Sequence, residues 1–302
     1  RVTAGRGEYA LSDEVRSFVA EFARPERCSV DRARIALSVT DPVEGRPAWP
    51  VSGGIPIPEG HLRDAQHCRL VQDGAPVAAD FRELAWWPDG SVKWLLVSLL
   101  HDGGEYSLLY GETISAPEIE RPNVVEETAD GLRVTTDVLR ADLSRDRFAP
   151  PGNVWRDVNG DGVFGANEQI IAATEGALLE DAEGNRYSTA GAPVTRLVVE
   201  EAGPVRTVVL AEGKFAGEAG QSLGWRCRMY FTRGFAGIPT VFMLIGDEGQ
   251  SIRPPTMTWI RSLELPVEFP VEMTATVGAD EAEVAAIEAA QQGMRLLHDY
   301  DN

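Results

Sequence analysis

Lysine is nearly absent from this chain: Lys93 and Lys214 are the only two among 302 residues, and arginine supplies the rest of the positive charge. Basic residues number 28 against 47 acidic ones, and the net charge of -19 repels a phosphate backbone, which argues against nucleic acid as a partner. Long apolar runs are missing too. None approaches the ~18 residues that a membrane-crossing helix requires. The first residues, RVTAGRGEYA, have neither the apolar centre of a signal peptide nor an initiator Met, so the sequence is expected to begin inside a longer or processed chain. Cysteine is scarce. Cys28, Cys68 and Cys227 form no CxxC pair and no histidine stands at zinc-finger spacing, which leaves either one disulfide with an odd thiol or three semi-buried thiols. The four histidines, His61, His67, His101 and His298, show no ligand spacing and read as surface or loop residues. A P-loop, a dinucleotide fingerprint and a serine nucleophile elbow are all lacking, and no catalytic set is identifiable.

What the chain does have is strand periodicity. CRLVQ, FRELAWW, SVKWLLVSLL and EYSLLYG are β-rich runs broken by Asp73-Gly74 and Pro88-Asp89-Gly90, the kind of punctuation that closes hairpins. PVEGRPAWPVSGGIPIPEG holds too much Pro and Gly for a helix or a central strand and reads as a loop. After a Pro- and Glu-rich stretch, valine-rich runs interrupted by Glu-Gly-Asn, Ala-Gly-Pro and Phe-Ala-Gly continue the same pattern to about residue 270. Helical spacing occurs only near the ends, at Val15, Phe18, Val19 and Phe22 and in ADEAEVAAIEAAQQGMRLL. The expected fold is therefore mainly β, in two bodies with short flanking helices. The divisions are 1–30 (helical), 31–115 (first β unit), 116–127 (linker), 128–278 (second β unit) and 279–302 (helical).

One stretch has the spacing of a calcium loop. In DVNGDGVFGANE, oxygen-bearing side chains stand at positions 1, 3 and 5 (Asp157, Asn159, Asp161), Gly162 at 6, the Val163 carbonyl at 7 and Glu168 at 12. Calcium is a hard cation that needs several oxygens, and three carboxylates within twelve residues repel one another without one. Pro150, Pro151 and Gly152 just upstream rule out the entering helix of an EF-hand, so the loop is expected between strands, as a fastening rather than a catalytic centre. The alternative is an Asx-rich turn without an ion.

A second stretch suggests carbohydrate. Trp86, Trp87 and Trp94 offer flat faces for pyranose rings, and Lys93 or Arg82 can meet a uronate carboxylate. Adjacent residues on a strand point to opposite faces, so Trp86 and Trp87 cannot both line one platform. The contact candidates are Trp86, Trp87 and Lys93.

GIPIPEGHL, GAPVAADFRELAWWPDGSVKWLLVSLL, VTTDVLRADL, EEAGPVRTVVLAEG and RCRMYFTRG resemble, in that order, the N-terminal part of the YetA-like and exo-rhamnogalacturonan lyase-like family. Trp87 to Trp94 is the most specific piece, and the likeness covers about residues 35–269. It implies a small RIFT-type β-barrel, then an antiparallel β-sandwich, then a helical toroid that carries most of the lyase chemistry. No family motif known as catalytic matches a position here, and the calcium-type loop is not part of the pattern. The expectation is a non-catalytic, calcium-stabilised part of a secreted or cell-surface polysaccharide-lyase-like protein, with a polysaccharide, self-assembly or a further helical domain as partner. An extracellular structural or assembly protein and a free-standing carbohydrate-binding module are the alternatives.

Overall fold

Where the sequence alternates with a period of two, the chain forms strands. The computed structural model describes residues 26–39, 48–246 and 259–270 and the backbone of 273–279 and 283–289. The helix expected around residues 15–22 lies outside them. The chain forms two compact units, the first made of the residues up to Val124 together with 201–208 and 230–237.

The first unit contains β1 (Ala33–Leu37), β2 (Trp49–Pro56), β3 (Cys68–Gln72), β4 (Ala75–Val77), β5 (Ala79–Trp86), β6 (Val92–His101) and β7 (Tyr106–Tyr110). They pair antiparallel in two sheets, ordered β1-β7-β3-β4 and β2-β6-β5, around a core that includes Leu62, Leu70, Val92, Leu95 and Leu108. Asp73 and Gly74, with φ of 50° and 88°, make the left-handed two-residue turn that matches strand twist between β3 and β4. The Pro- and Gly-rich segment read as a loop instead holds β2. That strand lies at a sheet edge, where Pro50 and Pro56 need not donate to a neighbour on both sides.

The strands of the second body are β8 (Val124–Glu127), β9 (Gly131–Thr135), β10 (Leu139–Ser144), β11 (Asn153–Arg156), β12 (Gln169–Ile171), β13 (Leu178–Asp181), β14 (Arg186–Ser188), β15 (Arg196–Ala202), β16 (Arg206–Gly217), β17 (Gly220–Thr232), β18 (Thr240–Ile245) and β19 (Ile260–Glu264), except that Val124 of β8 and residues 201–202 of β15, 206–208 of β16 and 230–232 of β17 belong to the first unit. One sheet runs β12-β11-β10-β9-β8. The other runs β18-β17-β16-β14-β13-β19, with β15 beside β16. Its core stacks Phe148 on Trp225, ring centroids 5.0 Å apart. A Cβ on Gly213 would come within 2.6 Å of the Trp225 ring, so glycine is what lets the indole lie flat on β16. β8 takes residues 124–127 out of the expected linker, because their Val-Val-Glu-Glu run finds a partner in β9.

The last two strands, β20 (Met273–Ala279) and β21 (Glu283–Ala289), pair antiparallel from Met273↔Ala289 to Ala279↔Glu283. This corrects the helix expected from residue 279. Alanine favours a helix in isolation, but pairing with the Thr- and Val-bearing β20 overrides that preference.

Candidate functional site

The calcium-type loop leaves β11 at Arg156 and reaches β12 at Gln169, so it runs between strands. Its side chains turn back on its own backbone. Asp157 Oδ1 accepts from the Gly160 N–H at 2.7 Å and Oδ2 from the Gly162 N–H at 2.8 Å. Asn159 Oδ1 accepts from Asp161 N–H at 2.9 Å and Asp161 Oδ1 from Val163 N–H at 2.7 Å. Gly160 and Gly162 sit at φ of 76° and 77°, the left-handed region that makes such a winding possible. Glu168 is only 6% exposed, and its two oxygens accept from Val158 N–H at 3.1 Å and Gly165 N–H at 2.9 Å. Each accepting oxygen keeps a second lone pair, so these side chains retain acceptor capacity beyond the loop's own N–H groups. They are not yet gathered: among the described residues, the one trio of His, Cys, Asp or Glu ligand atoms within 4.8 Å of one another lies elsewhere. An ion would have to draw Asp157, Asp161 and Glu168 together, with Asn159 and the Val163 carbonyl completing the shell.

The aromatic candidates separate. Trp86 is 36% exposed, and its Nε1 donates to Glu83 at 3.1 Å. Trp87 instead donates from Nε1 to the Ile57 carbonyl at 2.8 Å, and Lys93 Nζ stands 4.4 Å over its ring. Trp87 and Lys93 are thus both half-buried and in contact with each other. Register shifts at Glu83–Ala85 and Ala85–Trp86 mark a bulge in β5, and exposure alternates outward at Arg82, Leu84 and Trp86. Opposite them on β6, Trp94 is 40% exposed, and both Trp94 and Leu84 lie over Gly54 of β2, which has no side chain to fill that floor. The exposed apolar face therefore holds Leu84 and Trp94 over Gly54, with Trp86 exposed farther along β5. Arg82 is bridged to Glu201 at 3.1 Å.

Two turns hold this part of the chain. In Trp87–Ser91, Asp89 Oδ1 accepts from Ser91 N–H at 2.9 Å and from its hydroxyl at 2.6 Å, and the Ser91 oxygen accepts from Gly60 N–H at 2.8 Å. In Gly203–Arg206, the Asp80 carboxylate accepts from Val205 N–H at 3.1 Å and from Arg206 N–H, while Arg206 donates to Ser52 at 3.0 Å and Ser98 at 3.1 Å. Burial holds the Asp80 carboxyl above its ordinary 3.8, against the pull of those two N–H groups.

These turns coincide with matches to known domains: the PcRGLX-like N-terminal RIFT barrel domain over residues 43–106 and the PcRGLX-like central beta sandwich domain over 123–276. The chain belongs to the PcRGLX-like family. None of the curated proteins matches it. The family's order, barrel then sandwich, is the order of the two bodies described above.

The sequence reading missed a different constellation in this PcRGLX-like chain. Cys28, His67 and Glu112 bring a sulfur, a ring nitrogen and a carboxylate oxygen within 4.8 Å of one another. They come from three separate segments, so no local spacing signals them. All three cysteines are free and buried. Burial pushes the Cys68 thiol above its usual range and the Cys227 thiol up to about 12. Among the other histidines, His101 is buried against the Tyr106 hydroxyl at 3.3 Å and His61 lies 3.5 Å from that of Tyr110, while His298 lies outside the described residues.

Proposed function

We propose that this chain is the non-catalytic, calcium-fastened and carbohydrate-facing β portion of a secreted polysaccharide-lyase-like protein. The observation that carries this reading is the use made of the polar groups in the segments that resemble the family most. Asp80, Asp89, Ser91 and Arg206 are committed to closing turns and bracing strands, with their hydrogen-bonding capacity directed inward. Such groups stabilise a scaffold; a base for abstracting a uronate α-proton must instead face the substrate.

The exposed indoles of Trp86 and Trp94 support a carbohydrate context, since an indole face and a glycine floor suit a pyranose ring. A calcium loop open to solvent on most of its length works at the free calcium found outside cells, where modules binding at about 10⁻⁴–10⁻³ M are common. That supports placement outside the cell or at its surface.

The test is titration with pectic and neutral oligosaccharides, read by tryptophan fluorescence. Saturable quenching that disappears in Trp94→Ala is the expected result. Silence across the panel overturns the carbohydrate-facing part, and release of unsaturated uronates from a pectic polymer by the purified chain overturns the non-catalytic part.

A further inference from the structure

Three stretches of chain meet beside the barrel: the residues ahead of β1, the turn that precedes β3 and the residues that follow β7. Backbone bonds fix the meeting. Ser29 N–H donates to Gly60 O at 2.9 Å, Gly111 N–H to His67 O at 3.1 Å and Glu112 N–H to Val30 O at 3.0 Å. Gly111 has a φ of 129°, and a Cβ there would lie 2.8 Å from the Asp31 carbonyl oxygen, so the crossing needs glycine.

Into this point project Cys28 Sγ, one ring nitrogen of His67 and a carboxylate oxygen of Glu112, all within 4.8 Å of one another. Glu112 Oε2 accepts from the Cys28 N–H at 2.9 Å, which aims the carboxylate at the cysteine. His67 is the informative member. Its Nε2 faces the Arg63 guanidinium, which has donors only, so Nε2 accepts and the neutral ring carries its proton on Nδ1. That Nδ1 is buried and finds no hydrogen-bond partner among the described residues. A buried donor left unpaired in this way keeps its full desolvation cost, an arrangement that calls for an occupant.

We propose that Cys28, His67 and Glu112 form a zinc-type site, with water as the fourth ligand, that ties the segment ahead of β1 to the barrel. Thiolate, imidazole and carboxylate together are a donor set that zinc accepts and that hard calcium does not. Bond lengths of roughly 2.0–2.3 Å place tetrahedral ligands about 3.5 Å apart, so shifts of about an ångström close the cluster. Ligation through either ring nitrogen displaces Arg63, because the ion takes the lone pair at Nε2 or moves the ring proton there. Arg63 retains the Glu26 carbonyl at 2.6 Å and Asp64 at 3.1 Å when it turns away. It therefore opposes the ion by charge while bracing the empty cluster.

The experiment uses the full chain stripped of metal, titrated with Zn²⁺ against a chromophoric chelator and with Co²⁺ as a spectroscopic probe. About one tight zinc per chain is expected, with a thiolate-to-cobalt charge-transfer band that vanishes in Cys28→Ser. Losing an outer-sphere partner of a metal costs roughly 10–100-fold in affinity, and His67→Gln and Glu112→Gln should each cost at least that. Arg63→Gln should tighten binding, and Asp157→Asn should leave it unchanged. Near-UV circular dichroism checks that each variant is folded; if Cys28→Ser is not, Glu112→Gln, half-buried at the margin, carries the test. No charge-transfer band, or equal zinc affinity in the wild-type chain and the His67 and Glu112 variants, overturns the site.

Discussion

In the Trp87–Ser91 turn a single carboxylate, Asp89, is matched by the N–H and hydroxyl of Ser91, and Ser91 in turn is fully buried. In the 157–168 loop three carboxylates are likewise wound around backbone N–H groups, yet no arginine bridges Asp157, Asp161 or Glu168 among the ion pairs of the described residues. Both use Asx chemistry and left-handed glycines. They differ in charge left over: backbone amides satisfy lone pairs without cancelling three negative charges, and a buried Glu168 feels the others in a medium less polar than water. Hydrogen bonds alone complete the first turn, whereas the second keeps three negative charges that its hydrogen bonds do not cancel, the feature on which the proposed calcium role rests.

That contrast can be broken most decisively with calcium. With free ion at about 100 times its Kd, the folded chain gains about 2.7 kcal/mol, an increment that Glu168→Gln or a chelator should abolish. Scanning calorimetry with and without chelator reads it, and an unchanged melting temperature puts the loop in the same class as the Trp87–Ser91 turn. Next in size is Ser91→Ala. It leaves the Gly60 N–H without its acceptor and Asp89 with only the backbone N–H of its two donors, and should cost about 2 kcal/mol in urea denaturation, equally with and without calcium.

The smallest effect belongs to a carboxylate that an arginine already neutralises. Glu200 receives two bonds from Arg228, at 2.6 and 3.0 Å, and its pKa lies below the ordinary 4.5, first because of that hydrogen bond. A depressed folded pKa means the pair stabilises the chain above pH 4.5 and loses that contribution as pH falls below it through the folded value. Both side chains are partly exposed, so the contribution is within about 1 kcal/mol, and Glu200→Gln should flatten only the acid limb of melting temperature against pH.

Much of the fold was legible because strands announce themselves by period and by turn residues. CRLVQ is β3 to the residue, and Asp73-Gly74 makes the tight turn its type demands. β2 was hidden by its prolines, which exclude only a central strand, and β21 by alanines whose helical preference yields to a partner that periodicity does not reveal. The candidate sites divide the same way. Loop 157–168 was visible because its donors are consecutive. Trp86, Trp87 and Lys93 were read together as contact candidates, and the bulge in β5 and the cation–π contact that set Trp87 and Lys93 apart from Trp86 leave no trace in local periodicity. Cys28, His67 and Glu112 are brought together by strand pairing and backbone crossings alone.

Because residues 201–208 and 230–237 complete the first unit, a gene fragment that ends at Val124 encodes Asp80 without the amides of Val205 and Arg206 that its carboxylate binds. Shuffling by a single cut in the linker would thus deliver an open-sided product. Because the second unit draws β18 and β19 from beyond residue 237, the two units are interleaved along the chain and transfer between proteins has to move both together.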